Sequence, residues 1–401
     1  MENVGYDCRK LTEKVRKSIN SFGKDISDPE VLDIIEDCVL QDPVFEFEHY
    51  KFKIKIIDDV FNSIRKDLAI LDPYARDPGI SEIMVNGKNH IFIERHGTVE
   101  KVDASFQTTE ELEEVIRRIG AKVHREINEM NPILDARLED GSRVNAVNKN
   151  VALGGPILTI RKFPEQAIDM EKLIFYGTVT CEAAEFLKKL VQAGYNIFIS
   201  GGTSSGKTTF LNVLSDYIPK SERVIVIEDS AELQIKGVEN LIRMECRNAN
   251  IQGKGQVDMR QLIKTSLRMR PNRIIVGEVR GEEVLDMIQA MNTGHDGSLS
   301  TGHGNSPEGM LNRLETMFLQ AADFPIEAIR GQIAEGIDII IHLGRRRDNK
   351  RIVTEIVEIA GLKDSKIVMN KLFKYDMNDG LIKTGNELVN KEKLEIKGLK
   401  I

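Results

Sequence analysis

The sequence contains no tryptophan, and its 15 Phe and 7 Tyr make aromatics 5% of 401 residues. Grooves that stack nucleic-acid bases are built from such rings set among basic residues. Cations are not in excess either: 56 Lys and Arg stand against 63 Asp and Glu, a net charge of −7 with histidine neutral. Composition therefore gives no reason to expect DNA, RNA or an anionic membrane as the main partner. The four cysteines, Cys8, Cys38, Cys181 and Cys246, lie far apart with no C-x-x-C pair. That spacing indicates neither a zinc cluster nor a disulfide framework and points to a reducing compartment. The first residues, MENVGYDCRK, lack the apolar centre of a signal peptide, and stretches such as Ile337–Leu343 are far too short to span a bilayer. The expectation is a soluble, cytoplasmic protein that reaches a membrane only through partners.

With 41% apolar and 30% charged residues the chain has an ordinary globular composition. No fixed-period repeat or low-complexity run interrupts it, and its length suits two or three domains, of which three are expected. Residues 1–72 read as a charged helical module. In it Asp28 and Pro29 act as N-cap and N1, followed by Val31, Leu32, Ile34, Ile35 and Val39 at helical spacing. A second apolar series, Ile56 to Leu68, is expected to stop at Pro73. From 73 to 162 the period shortens to that of strands. Ile83-Met84-Val85 and Ile91-Phe92-Ile93 around Asn86-Gly87 predict a tight hairpin. A helix over 109–125 with Thr108 and Glu111 as a capping box, a turn at Asp140-Gly141 and a strand at Ile157–Ile160 complete a small α/β domain. Residues 163–180 are expected to be the interdomain linker. From 181 to 401, helical and β-type segments alternate, which predicts a largely parallel sheet covered by helices.

Four motifs carry chemistry. Gly201-Gly202-Thr203-Ser204-Ser205-Gly206-Lys207-Thr208 is a G-x-x-x-x-G-K-[ST] phosphate loop (Walker A). By average residue usage the bare pattern would arise by accident in about one or two chains in a hundred of this length. Its setting, after the apolar run Asn196–Ser200 and before a helix starting with Thr209, is the strand–loop–helix order that phosphate binding requires. Lys207 would reach the β- and γ-phosphates of ATP, and the Thr208 hydroxyl would ligate Mg²⁺. The run Arg273–Val276 ends in Gly277-Glu278-Val279-Arg280, so Glu278 is the candidate base that orders the attacking water. Arg280 either steadies phosphate charge or pairs with Glu278 or Glu282. A third run, Arg223–Ile227, ends in Glu228, Asp229 and Glu232, acids that a bound Mg²⁺ would compensate. The fourth, Gly294–Asn305, holds His295 and His303 among Gly, Ser and Thr. It reads as a tight loop that senses the γ-phosphate, without zinc-ligand spacing. Asp376–Gly380 resembles a calcium loop but places Gly380 one position too early and reads as a turn.

In this order the phosphate loop, the Glu228–Glu232 box, the Gly277–Arg280 strand and the His295–His303 box resemble the ATPases of the type II/type IV secretion superfamily. The segments Ile133–Ala146 and Leu158–Phe163 narrow the resemblance to the CpaF branch, which drives tight-adherence (Flp) pili; the match runs from about 75 to 345. It implies a smaller α/β (PAS-like) domain joined to a RecA-like P-loop ATPase core, assembled as a homo-oligomeric, hexameric ring. That ring would be cytoplasmic and peripheral at the membrane, acting on a polytopic inner-membrane platform protein, with no nucleic acid expected. The tetracysteine zinc insertion of many pilus extension ATPases is missing. Carried over by position, Gly201 to Thr209 and Lys207 hold ATP, Thr208 holds Mg²⁺, Glu278 is the base, Glu232 stands near the metal and His303 faces the γ-phosphate. Arg143 and Arg161 correspond to two arginines that reach the nucleotide when domains close. The alternatives are a RecA-like nucleic-acid translocase and a nucleotide switch that does not hydrolyse. The first would need a basic, aromatic channel; retention of Glu278 and the acidic box weighs against the second.

Overall fold

The computed structural model describes residues 8–21, 26–95, 97–138, 140–163, 168–247, 249 and 254–401. It divides into two compact units, Met1–Glu165 and Gln166–Ile401.

The first unit opens with helices α1 (Cys8–Ser21), α2 (Asp28–Leu40) and α3 (Tyr50–Arg65). Leu11, Val15, Val31, Ile35, Phe45 and Val60 make their shared core. Ser27, not Asp28, caps α2: its side chain and that of Glu30 close a capping box, and Pro29 falls inside the first turn. Pro73 likewise begins a helix, α4 (Asp72–Arg76), while α3 has already ended at Arg65. Proline's missing N–H costs nothing in a first turn, so it marks a start as readily as a stop.

A six-stranded antiparallel sheet follows. Its strands are β1 (Ile80–Asn86), β2 (Ile91–Arg95), β3 (Thr98–Lys101), β4 (Ile133–Arg137), β5 (Arg143–Val147) and β6 (Ile157–Arg161), in the order β3-β2-β1-β6-β5-β4. The last register pair of the β1–β2 hairpin is Val85 with Ile91, so five residues rather than two lie between the paired positions, and the Asn86 N–H donates to the His90 carbonyl. Helix α5 (Thr109–Lys122) buries Leu112, Val115, Ile116 and Ile119 against the sheet. The Thr108 hydroxyl accepts from the Glu111 N–H, but the Glu111 carboxylate reaches the Gln107 N–H instead of closing the box on Thr108.

The second unit begins with α6 (Met170–Phe175), which lies within the segment expected to be linker; Met170 and Leu173 are buried in this unit's core. Then come α7 (Cys181–Ala193), β7 (Ile197–Gly201), α8 (Lys207–Ser215), β8 (Val224–Glu228), β9 (Leu241–Glu245), α9 (Met259–Ser266), β10 (Arg273–Val279), α10 (Glu283–Met291) and β11 (Leu299–His303). The chain continues through α11 (Pro307–Ala321), α12 (Ile326–Gly336), β12 (Ile339–Arg345), β13 (Arg351–Lys363), β14 (Lys366–Asp376), β15 (Gly380–Lys383) and α13 (Glu392–Ile396). The nine-stranded sheet has the order β15-β14-β13-β12-β7-β11-β10-β8-β9. From β12 to β9 all pairs are parallel, and β13, β14 and β15 add an antiparallel extension.

Most positions of the central strands are apolar because both faces are covered, with Ser200, Ser300, Thr301 and His342 as buried polar exceptions. Ile197, Ile199, Val224, Val226, Ile275, Ile339 and Ile341 enter the core under α7 and α8. Phe198, Ile225, Ile227, Ile274, Val276 and Ile340 enter the opposite one under α10, α11 and α12. The unit is thus a helix–sheet–helix sandwich, the α/β class expected, with a RecA-like core. Residues 299–303, expected to be loop, form β11 in the middle of the sheet. There Gly302 is required: a Cβ at that position would stand 2.8 Å from the Phe198 ring.

Candidate functional site

Strand β7 delivers the phosphate loop to the carboxyl edge of the parallel sheet, where open α/β folds bind ligands. Gly206 caps α8 with φ +95°, and Ser204, though not glycine, also lies in the left-handed region at φ +57°. Gly201 has no room for a side chain, since a Cβ would approach the Leu343 carbonyl and the Ser205 hydroxyl to 2.6 Å. The loop is held from outside by Arg351 at the start of β13, whose Nε donates to the Ser204 carbonyl at 3.0 Å.

Lys207, only 6% exposed, projects from the first turn of α8. Its ammonium donates to the Gly202 carbonyl at 2.9 Å and lies 3.4 Å from His303 Nδ1. Neither partner is an anion, and burial holds its pKa below the ordinary lysine range. A buried cation beside turned-in backbone amides fits a phosphate. The Ser205 hydroxyl, buried and without a hydrogen-bond partner, points the same way. The half-buried Thr208 and Thr209 follow in the same turn, and Thr208 is the residue whose hydroxyl fits a phosphate-bound Mg²⁺. Among the described residues no group of three His, Cys, Asp or Glu could hold a metal ion.

Sheet register brings the other motifs to this mouth. His303 stands opposite Gly201 across the β11–β7 pair, and Gly302 opposite Val279 across β11–β10, past a bulge at Val276/Val279. His303 Nε2 lies 2.7 Å from Glu278 Oε1. Glu278 Oε1 is buried and has no hydrogen-bond partner, so this is a close approach of ring and carboxylate rather than a directed hydrogen bond. Burial lowers the His303 pKa against the opposing pull of Glu278. Arg280 pairs with the other oxygen of Glu278, at 2.6 Å from Nη2 and 2.8 Å from Nε, and with Asp229 at 3.5 Å. Of the partners considered for it, Glu282 is engaged by Arg260 instead.

In the acidic box the buried member is Glu228, 3% exposed. Its Oε1 accepts the Glu232 and Leu233 N–H groups at 2.8 Å each, and Arg243 lies 3.8 Å from Oε2. Burial raises its pKa. Gly277 makes room for it, a Cβ there meeting Glu228 Cγ at 3.0 Å. Glu232 is half-buried, its N–H folded back onto Glu228. His295 lies away from the phosphate loop, its Nδ1 3.1 Å from the Ala290 carbonyl.

Arg143 and Arg161 belong to the first unit, where they are direct cross-strand neighbours on β5 and β6. Arg143 pairs with Asp135 at 3.2 Å, and Arg161 stands opposite Glu82 on β1. Sequence reasoning missed Arg351, whose contact depends on a distant strand. It also missed Arg313, which with Asn305 of the fourth motif lines a cleft of about 640 Å³ beside Gly202, Thr203, Arg280 and His303.

The family model described as type II/IV secretion system protein matches residues 65–371. An uncharacterized protein of Methanocaldococcus jannaschii is 38% identical over 313 residues; the match covers 75% of this chain and 42% of that protein's length. The conjugal transfer protein TrbB of Rhizobium radiobacter is 31% identical, over 72% of this chain and 86% of its own. Among solved structures, the Legionella pneumophila ATPase DotB superposes with a TM-score of 0.53 at 21% identity, covering 72% of this chain and 79% of that one. The pilus retraction motor PilT with bound ADP gives 0.51 at 20%, covering 82% and 85%. These two likenesses concern the fold, whereas the family match spans most of the sequence and every nucleotide-site motif: the chain belongs to the type II/IV secretion system ATPase family.

Proposed function

We propose that the chain is a Mg²⁺-dependent ATP-hydrolysing motor of the CpaF type. It would work as a cytoplasmic hexameric ring that drives assembly of a tight-adherence pilus through a polytopic membrane platform protein. The observation that carries the hydrolytic reading is the connected set Lys207–His303–Glu278–Arg280 at the mouth of the phosphate loop. Lys207 and the loop amides bind the β- and γ-phosphates, and Thr208 holds the metal. Mg²⁺, when bound, neutralises phosphate charge and orients the triphosphate. Glu278 orders the water and takes its proton as the bond to the β-phosphate oxygen breaks. To act as a base it must exchange its pairing with Arg280 for the water, and an incoming γ-phosphate supplies Arg280 with another anion. Glu232 lies near the metal in this reading, and Arg143 and Arg161 supply cations when a first unit closes on the nucleotide.

Support for a secretion motor comes from the conjugal-transfer and pilus names of its relatives and neighbours. Among the described residues no helix is long and apolar enough to cross a membrane, so force would pass to the membrane through a partner. The test is phosphate release by the purified chain with Mg²⁺-ATP, alone and with single-stranded DNA, with mass by light scattering in an ATP analogue. DNA-independent hydrolysis by a ring supports the proposal. Lys207→Ala should abolish nucleotide binding; wild-type affinity in that variant, or a persistent monomer, would refute it.

A further inference from the structure

The cleft beside the phosphate loop is longer than a γ-phosphate needs. Its wall follows α11 from Gly309 to Gln320, twelve residues or about 16 Å of helix. One end is closed by Gly202, Thr203 and His303, where the triphosphate terminates. The far part is lined by Asn312, Arg313, Thr316 and Gln320, side chains that hydrogen-bond but bring no negative charge.

The cations facing this space are not equivalent. Arg280 is neutralised by Glu278 and Asp229, and Lys207 is committed to the loop. Arg313 is exposed, and among the described residues no carboxylate pairs with it. It is nevertheless near enough to disfavour the charged form of His303. The start of α11, capped by Ser306, adds the positive end of a fifteen-residue helix through Gly304, Asn305 and Gly309 on the same wall. A polar cleft with an uncompensated guanidinium, opening from the point where a phosphoryl group is detached, fits a small oxyanion.

We infer that this far part of the cleft is a holding site for inorganic phosphate, with Arg313 as its binding cation. Phosphate cleaved at the loop moves along α11 to Arg313 and leaves from there, while ADP stays on Lys207. The inference rests on the hydrolytic reading above, since it concerns that reaction's product. Arg313 binds the product and takes no part in water activation, which separates it from Glu278.

The experiment follows release of a fluorescent ADP from the full chain with Mg²⁺ as inorganic phosphate is added. In the wild type phosphate slows ADP release saturably. Arg313→Gln leaves release without phosphate unchanged and raises the half-saturating phosphate concentration about tenfold or more. Arg313→Lys, which keeps the charge, stays within about threefold, and Asn312→Asp, which sets a carboxylate beside Arg313, behaves like Arg313→Gln. Equal half-saturation in the wild type and Arg313→Gln, or no effect of phosphate on the wild type, overturns the assignment while leaving the nucleotide site intact. Absence of ADP binding in the wild type would overturn the phosphate-loop reading and this inference together.

Discussion

Replacing Glu278 by glutamine tests the chemistry because the two oxygens of Glu278 have different neighbours. Oε2 faces two donor atoms of Arg280 at 2.6 and 2.8 Å, so the glutamine oxygen is held there. The amide NH₂ then takes the place of Oε1, 2.7 Å from His303 Nε2 in the wild type, and the carboxylate charge facing that ring is lost. The substitution therefore removes the base without taking an atom from the phosphate loop. Loss of general base catalysis is worth about 10²–10⁴ in rate, or about 3–5 kcal/mol of barrier. Affinity for a slowly hydrolysed ATP analogue should stay within about threefold. Single-turnover phosphate release gives the first quantity and fluorescent-nucleotide titration the second. A wild-type single-turnover rate would refute the assignment of Glu278.

Arg143→Ala and Arg161→Ala should each keep ATP binding within a few-fold and lower kcat by about 10³, the lower range for arginine fingers. A fragment covering 166–401, which retains Met170 and Leu173 of α6, should bind ATP yet barely hydrolyse it; full activity in steady-state assays would count against both arginines. Glu358, 1% exposed, accepts the Val389 and Asn390 N–H groups and the Asn370 amide. Glu358→Ala leaves those donors unpaired at a cost of about 2–4 kcal/mol, seen calorimetrically as a Tm lowered by about 5–15 °C. His342, buried beside the Ser200 hydroxyl, has its pKa pushed below the ordinary 6.5 by desolvation. As pH falls through that value the unfolded chain takes up a proton that the folded chain refuses, so stability drops. His342→Asn should flatten the dependence of Tm on pH between about 7 and 5, and an unchanged slope would exclude His342 as its source.

What the sequence revealed follows from the range of the interactions. The phosphate loop was legible because its glycines, lysine and threonine do their work within eight residues. Apolar runs such as Ile274–Val276 identified central strands because a sheet covered on both faces buries every side chain. Residues 299–303 misled because Leu-Ser-Thr-Gly-His resembles a loop locally. Only the Phe198 ring on the neighbouring strand explains why a central strand needs glycine there. The pairing of Arg143 with Arg161 is likewise a matter of register, the seventeen residues between them having to fold first. The helix starts at Ser27 and Pro73 were misplaced by one residue or reversed in sense because proline fits a first turn as well as a break. Arg313 carries no local signature at all: a lone arginine on a helix becomes a site residue only when the sheet brings His303 opposite it.

The antiparallel extension of the large sheet has a bearing on assembly. Without β13, β14 and β15, strand β12 would present a long apolar edge, an open template for another chain's backbone. Instead the sheet ends on β15, four residues long with Lys383 at its tip, and on β9, whose exposed positions include Arg243 and Glu245. In the smaller sheet, β3 is a short, wholly exposed edge reading Thr-Val-Glu-Lys. Short or charged edges resist strand addition. In the ring proposed above, copies of this chain would then join through side-chain surfaces, which can slide and rotate against each other, rather than through shared backbone ladders, which would lock them. That kind of joint would let the proposed ring's subunits change their mutual orientation during turnover.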